Sequence, residues 1–295
     1  MKILGTGLTG LVGSRIAELL KDYDFENLSR ATGFDIVDRN SVLDKITNSD
    51  ARIVLHLAAK TDVDECEKDK SLGENGEAWK INVLGTQNVV DACSASNKKL
   101  IYISTDFVFD GESPPAGGYT EEDIPNPINW YAKTKYEGEQ IVEGAKCPWI
   151  IVRISYPYRS NFTKLDFARA ILKRLQLGKP VAGVTDHLFT PTFIDDIAFA
   201  IDGLIKNDEN GIFHVVGSQS LSPYDAAILI AKELNLDQSK ISKTTRAEFF
   251  GNRSPRPFQL ILKNDKIQRL GIKMRGFEEG LREVKSQMLK IKSTS

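Results

Sequence analysis

Apolar residues recur in two rhythms along the first half of the chain. Short unbroken runs, Lys2-Ile3-Leu4, Arg52 to Leu57, Leu100-Ile101-Tyr102-Ile103 and Trp149 to Ile154, read as strands of a parallel sheet buried on both faces. Between them apolar residues return every three or four positions, as in Leu11, Val12, Ile16, Leu19 and Leu20, the spacing of a helix with one buried side. The pattern predicts strands near 2–5, 25–28, 52–57, 100–103, 149–154 and 212–216. It predicts helices near 11–22, 40–48, 76–96, 130–144, 163–177, 193–206 and 222–234. Such alternation implies an α/β fold, a Rossmann-type doubly wound parallel sheet with helices on both faces. It is regular before residue 155 and looser after it. Residues 1–155 are therefore expected to form one domain, rejoined by the strand near 212–216, and residues 156–295 mainly a smaller C-terminal lobe. The longest interruption, Gly111 to Asn129, holds Pro114-Pro115, Gly117-Gly118, Pro125 and Pro127 and reads as a candidate lid. The tail, Lys292 to Ser295, is expected to be disordered.

The chemistry sits where strands end. The first run leads into Gly5-Thr6-Gly7-Leu8-Thr9-Gly10-Leu11-Val12-Gly13 and then a helix. Gly7, Gly10 and Gly13 put small residues where a backbone must approach a pyrophosphate at the positive end of that helix, so residues 1–155 read as a dinucleotide-binding domain. Ala58-Ala59-Lys60 follow the third strand, small enough at the start for a ribose to lie against the backbone. Ser104-Thr105-Asp106 follow the fourth, and ligands of open α/β sheets lie beyond such carboxyl ends. The second strand ends in Leu28-Ser29-Arg30 with no acid. Arginine and serine suit a 2′-phosphate, so NADPH is favoured over NADH. Tyr131 and Lys135, four residues apart, share one helix face. A free phenol titrates near ~10 and a free ammonium near ~10.4; side by side, the cation favours the phenolate and makes the tyrosine an acid–base catalyst.

Composition removes other classes. Net charge is −1 with no basic tract, which argues against nucleic acid as a partner. No apolar run approaches the ~18 residues of a membrane span and no signal peptide precedes the first strand, so a cytoplasmic protein with no membrane association is expected. Cys66, Cys93 and Cys147 lack C-x-x-C spacing and read as reduced thiols. Cys66, set among Asp64, Glu65 and Glu67, should have a raised pKa and be a poor nucleophile. His56, His187 and His214 are scattered, and no metal site is expected.

Ser104-Thr105-Asp106-Phe107-Val108-Phe109-Asp110-Gly111 followed by Tyr131-Ala132-Lys133-Thr134-Lys135-Tyr136-Glu137-Gly138-Glu139 resembles the dTDP-4-dehydrorhamnose reductase family of the extended short-chain dehydrogenases/reductases. The resemblance continues in Asn82 to Asn88, Arg153 to Tyr156, Asn161-Phe162, Thr190-Pro191-Thr192 and Ser254-Pro255-Arg256-Pro257, over nearly the whole chain. It implies an NADPH-dependent oxidoreductase, with NADH accepted by some members, that reduces the 4-keto group of a deoxysugar carried on a nucleotide diphosphate, in dTDP-L-rhamnose biosynthesis. On the cofactor side it implies Gly7, Gly10, Leu11, Val12 and Gly13 at the pyrophosphate, Ser29 and Arg30 at the ribose phosphate, and Asp35-Ile36 against adenine. Ala58, Ala59, Lys60 and Asn82 complete that side with Tyr131 and Lys135. Tyr131 would donate the proton, Lys135 lower its pKa, and Thr105 polarise the carbonyl. Thr105, Asp106, Phe107, Tyr156, Asn161, Phe162 and Arg256 would meet the substrate, with Arg256 on the diphosphate.

Departures fall on the sugar side. Tyr156 stands for a common tryptophan, Pro157-Tyr158-Arg159 for Val-Tyr-Gly, His187 for glutamine, Phe189 for a small residue, and Phe258-Gln259-Leu260 for Lys-Asn-Ser. No carboxylate cluster supports the magnesium-bridged dimer of some members, although a homodimer stays open. Three other readings stay open: an NAD-retaining nucleotide-sugar epimerase or dehydratase, a reductase of an unrelated carbonyl, and a non-catalytic subunit like the regulatory partner of methionine adenosyltransferase. The intact Thr105, Tyr131 and Lys135 argue against the last.

Overall fold

The computed structural model describes residues 1–251 and 253–294. Its strands are β1 (Lys2–Thr6), β2 (Asp24–Leu28), β3 (Ile53–His56), β4 (Lys99–Thr105), β5 (Trp149–Ile154), β6 (Pro157–Tyr158), β7 (Val181–Val184), β8 (Thr192–Phe193), β9 (Gly211–His214) and β10 (Ile241–Thr244). The helices of the first half are α1 (Leu11–Leu19), α2 (Arg39–Thr47), α3 (Val63–Asp69), α4 (Glu77–Trp79), α5 (Gly85–Ser96) and α6 (Trp130–Glu143). Those of the second half are α7 (Phe167–Gln176), α8 (Ile194–Lys206), α9 (Pro223–Glu233), α10 (Arg246–Phe250), α11 (Asp265–Arg269) and α12 (Phe277–Thr294).

Six parallel strands form the central sheet in the order β2-β1-β3-β4-β5-β9. Because side chains alternate across a strand, each apolar run feeds both faces. Ile3, Ile53, Leu55, Ile101, Ile103, Ile150 and Val152 face the layer of α1 and α8. Leu4, Val54, Leu100, Tyr102 and Ile151 face the other, with Val42, Ile46, Val89 and Cys93 of α2 and α5. The chain leaves β1 toward β2 on one side and returns to β3 on the other, and a ligand crevice opens at the carboxyl ends where the order reverses.

Four differences from the sequence reading have physical causes. The helix expected over 76–96 is broken by a π-helical turn, Lys80–Leu84. There the buried Asn82 amide donates to Lys60 O (3.0 Å) and Thr134 Oγ1 (2.9 Å) and accepts from Lys60 N (2.8 Å), tying the end of β3 to α6. The short α3 and the 18-residue α12 were not expected. Phe277, Leu281, Val284 and Met288 of α12 stand among charges and close the second core on Tyr158, Phe189, Phe193 and Ile230. This helix runs through Thr294, where disorder was expected, and Ser295 lies outside the described residues. Finally, the 111–129 loop is no lid. Gln259 N donates to Gly111 O (3.0 Å), Tyr119 N to Ile261 O (2.7 Å) and Lys263 N to Tyr119 O (2.8 Å), while Tyr119 stacks on Phe109 at 4.2 Å. The loop is fastened to the C-terminal segment and contributes nothing to the crevice wall. Among the described residues no helix is long and apolar enough to cross a membrane.

Candidate active site

A cavity of about 1300 Å³ runs along the carboxyl ends of β1 to β5 and under the second lobe. The glycine turn forms one end. Gly7 has φ +73°, and a Cβ there would sit 2.8 Å from Ala58 N, so the turn is pressed against the end of β3. A Cβ on Gly13 would lie 2.6 Å from Gly7 O. Gly10 caps α1 without a side-chain hydrogen bond, which leaves backbone N–H groups at the positive helix end available to an anion. Leu11, Val12, Ala58 and Ala59 line the same wall.

At the end of β2, Ser29 caps a one-turn 3-10 helix and Arg30 opens it. Arg30 is exposed, with Nε 3.5 Å from the Asp35 carboxylate, and can turn toward a phosphate without leaving the rim. Asp35, Ile36 and the buried Phe34 line this end too. Phe34 was missed, although its place beside Asp35-Ile36 was the available signal.

The chemistry stands where β4 meets α6. Asn129 caps α6 by accepting from Ala132 N (2.8 Å), which sets Tyr131 in the first turn and Lys135 in the next. Lys135 Nζ donates to Ile103 O (2.9 Å) and lies 4.0 Å from the Tyr102 ring centroid. Burial lowers its pKa to about 7, against the opposing charge of Glu139. Burial also raises the Tyr131 phenol above its ordinary value; the Thr105 hydroxyl opposes this and Asp106 adds to it. The expected lowering of the phenol by Lys135 is thus not found. Desolvation dominates, and the ammonium is anchored on a strand carbonyl. A phenol that keeps its proton suits the direction of reduction.

Asp106 is buried, and burial pushes its pKa up to about 7 although Ser155 Oγ (2.7 Å) and Thr105 Oγ1 (3.1 Å) both donate to it. Thr105 Oγ1 accepts from Phe107 N (3.2 Å), so its single proton is held by Asp106. Ser104 also lines the cavity, with a buried hydroxyl that has no protein partner.

An aromatic wall continues from the tyrosine. Phe107 meets Tyr131 edge-on at 6.0 Å and Tyr156 at 6.1 Å, and Tyr156 contacts Phe189 at 4.6 Å and Phe167 at 5.9 Å. Tyr156 holds φ +38°, a conformation a side chain adopts only under constraint, which turns its ring into the wall. Arg159, in the place of the expected glycine, instead reaches Ser14 Oγ (2.9 Å) and Glu18 (2.8 Å) on α1 and joins the two lobes.

Three expected contacts do not reach the cavity. Lys60 sends its amine to Glu77 (2.6 Å) and Asp69 (3.2 Å), Asn82 is spent on backbone and Thr134, and Asn161 is exposed and does not line the cavity, whereas Phe162 does. Arg256 lines it, its Nη1 donating to Ser254 O (2.8 Å) and Nη2 paired with Asp64 (3.0 Å). Lys164, Phe249, Phe250 and Arg253 share this mouth and were not singled out. Lys164 and Arg253 carry no motif, which left them unmarked in the sequence. Cys66 is buried and its thiol is pushed up to about 12, the expected direction, but chiefly by burial and, among acids, by Asp69, Asp62 and Glu77, not by its neighbours Asp64, Glu65 and Glu67.

Comparison with known proteins adds a second line. A family model described as RmlD substrate binding domain matches residues 1–290. The chain is 31% identical to the spore coat polysaccharide biosynthesis protein SpsK of Bacillus subtilis, over 96% of each chain. It is 30% identical to methionine adenosyltransferase 2 subunit beta of Mus musculus, over 96% of this chain and 86% of that one. A crystal structure of dTDP-4-dehydrorhamnose reductase from Bacillus anthracis in complex with NADP superposes with a TM-score of 0.88 at 30% identity, over 97% of this chain and 99% of that one.

Proposed function

The chain belongs to the RmlD substrate binding domain family, and from that premise we propose that it is an NADPH-dependent reductase of a nucleotide-diphosphate 4-keto-deoxysugar, of the dTDP-4-dehydrorhamnose reductase kind. The observation that carries this reading is the convergence of Thr105, Tyr131 and Lys135 on one cavity whose far end is the glycine turn.

The cofactor end fits a dinucleotide. Side chains on Gly7 and Gly13 would fill the cradle, the N-terminus of α1 offers N–H groups, and the exposed Arg30, paired with Asp35 at 3.5 Å, can turn to a 2′-phosphate. Bound NADPH supplies the hydride. Tyr131 then gives its proton to the sugar oxygen as negative charge develops there. Lys135, held by Ile103 O in the resting site, is the cation on the same helix face and would stabilise the phenolate only as the proton leaves. Thr105 turns its proton from Asp106 to the carbonyl oxygen, and its hydrogen bond strengthens as the oxyanion forms. The aromatic wall of Phe107 and Tyr156 excludes water and offers flat apolar faces to the sugar ring. Arg256, at the mouth, takes the diphosphate by exchanging Asp64 for a phosphate oxygen.

The test is loss of absorbance at 340 nm when NADPH and a dTDP-4-keto-6-deoxysugar are mixed with the protein. An epimerase or dehydratase that recycles tightly bound NAD gives no net loss. A purely regulatory subunit, the role named for the mouse relative, needs no proton donor, and the intact trio favours turnover over it.

A further inference from the structure

We propose that His187 is the hydrogen-bond acceptor for a hydroxyl of the substrate's sugar, a specificity-determining residue that restricts this site to sugars presenting an O–H donor at that point. This role rests on the reductase reading and sharpens it.

His187 follows β7 and lines the cavity with only 2% of its surface exposed. Its segment is fixed from both sides. Leu188 N donates to Phe258 O (3.4 Å), Leu260 N to Leu188 O (2.9 Å), and Phe189 and Leu221 exchange two backbone hydrogen bonds of 3.1 Å. The imidazole stacks parallel to Phe189, 6.0 Å between centroids at 5°. The ring therefore has one position.

Its protonation follows from its partners. Nδ1 lies 2.6 Å from Phe258 O, and a carbonyl oxygen can only accept, so Nδ1 carries the proton. Burial, the largest influence, and the charge of Arg246 hold the ring below its ordinary pKa; the Phe258 carbonyl and Asp186 oppose them. A neutral ring with hydrogen on Nδ1 leaves Nε2 with a lone pair and nothing to donate. That Nε2 is buried and has no partner in the protein. Buried polar atoms are almost always satisfied, so an unpartnered one on a residue of a cavity wall is a place for a ligand group to fill.

The place of the ring selects the group. Tyr131, Phe107, Tyr156 and His187 are linked by successive ring contacts of 6.0, 6.1 and 6.3 Å. Between them the Phe107 and Tyr156 rings offer flat faces suited to the C–H face of a pyranose, with the Tyr156 phenol among them. The Tyr131 phenol stands at one end of the series and the His187 acceptor at the other. A sugar whose carbonyl meets Tyr131 would direct a ring hydroxyl at His187. A glutamine here, as in the resembled family, could donate or accept. The tethered imidazole only accepts, so a keto, ether or carboxylate oxygen at that point faces lone pair against lone pair and is rejected.

The test compares wild type, His187→Phe and His187→Gln by calorimetric titration with dTDP-L-rhamnose, with dTDP alone and with NADPH. His187→Phe keeps the stacking surface and removes the acceptor. It should weaken the nucleotide sugar about 10-fold, leave dTDP and NADPH affinity unchanged, lower the melting temperature modestly because Phe258 O loses its donor, and raise KM more than it lowers kcat. His187→Gln should recover most of the loss. In wild type, an analogue O-methylated at the hydroxyl concerned should bind about 10-fold more weakly, with no further loss in His187→Phe. Unchanged nucleotide-sugar affinity in a folded His187→Phe protein would overturn the assignment. So would an equal loss for dTDP, which would place a base N–H at His187. If His187→Phe unfolds, the analogue series in wild type decides alone: no methylated analogue binding more weakly removes the hydroxyl contact. A wild type that binds these ligands but never oxidises NADPH refutes the reductase reading and leaves the affinity comparison intact.

Discussion

Tyr131 and Lys135 stand one helical turn apart, yet burial moves them in opposite directions, the phenol up and the ammonium down to about 7. As pH rises through about 7, Lys135 loses the charge that would stabilise a departing phenolate. Over the same range Asp106 ionises and holds the Thr105 proton more tightly. Both changes point one way: kcat/KM should fall as pH rises through about 7. A pH–rate profile of Asp106→Asn should lose its share of that fall, and a wild-type profile that climbs through the same range contradicts the assignment. Tyr131→Phe removes one oxygen from the wall, so NADPH binding and melting should persist while single-turnover NADPH oxidation drops about 10²–10⁴-fold. Wild-type speed in that variant would rule out Tyr131 as the acid. At the rim, Arg30→Ala should weaken NADPH by about 1.5 kcal/mol, the low end for a charge-assisted contact because Arg30 is exposed, with NADH little affected. Equal losses in fluorescence titrations with the two cofactors would mean that Arg30 does not read the phosphate. These residues were legible because each sits at a fixed offset from a strand end or a helix start. The pKa directions were not, since they follow from how much water the folded wall excludes. The reach of Lys60 was hidden too: sequence placed it beside the site, while ion pairs with Asp69 and Glu77 hold its amine elsewhere.

Helix α6 carries Tyr131 and Lys135, the proposed acid and its cation, so its seating on β4 matters as much as its side chains. Gly138 is the contact point: a Cβ there would collide with Tyr102 Oη and lie 3.1 Å from Asn82 O. Gly138→Ala should therefore cost about 1–3 kcal/mol of stability by overpacking, lowering the melting temperature. It should also slow turnover beyond what unfolding explains, because Tyr131 and Lys135 ride on the displaced helix. Native melting with full turnover would mean that α6 has slack against the sheet. The central strands were readable since burial on both faces leaves uninterrupted apolar runs. The π turn at Lys80–Leu84 was not, because its cause is the triple hydrogen bonding of Asn82 to residues 22 and 52 positions away. For α12, Phe277, Leu281, Val284 and Met288 recur at i, i+4, i+7 and i+11, a helical period the sequence carries although charged residues surround it.

The two lobes are sewn together by the segment around 254–263, and Arg256 is part of the seam. Ser254 N donates to Asp64 (3.2 Å), Asn129 Nδ2 donates to Pro255 O (3.0 Å), and Phe258 N donates to Asp110 O (3.2 Å). Arg256 itself spans from Asp64 on α3 to the cavity mouth, where Lys164 and Arg253 add positive charge. It can be a strut between the lobes or the ligand of the substrate's diphosphate, and the two roles separate experimentally. If it binds the diphosphate, Arg256→Ala should raise KM for the nucleotide sugar by roughly 10- to 100-fold, the scale of a lost charge-assisted hydrogen bond, with NADPH affinity unchanged. Asp64→Asn then leaves the guanidinium free for phosphate, and KM should hold or fall. If Arg256 is a strut, Asp64→Asn breaks the same tie and should reproduce the defect of Arg256→Ala, with melting temperature lowered in both. Steady-state kinetics on the two variants therefore distinguish the roles by sign: opposite effects on KM place the arginine on the substrate, and matching effects place it in the scaffold.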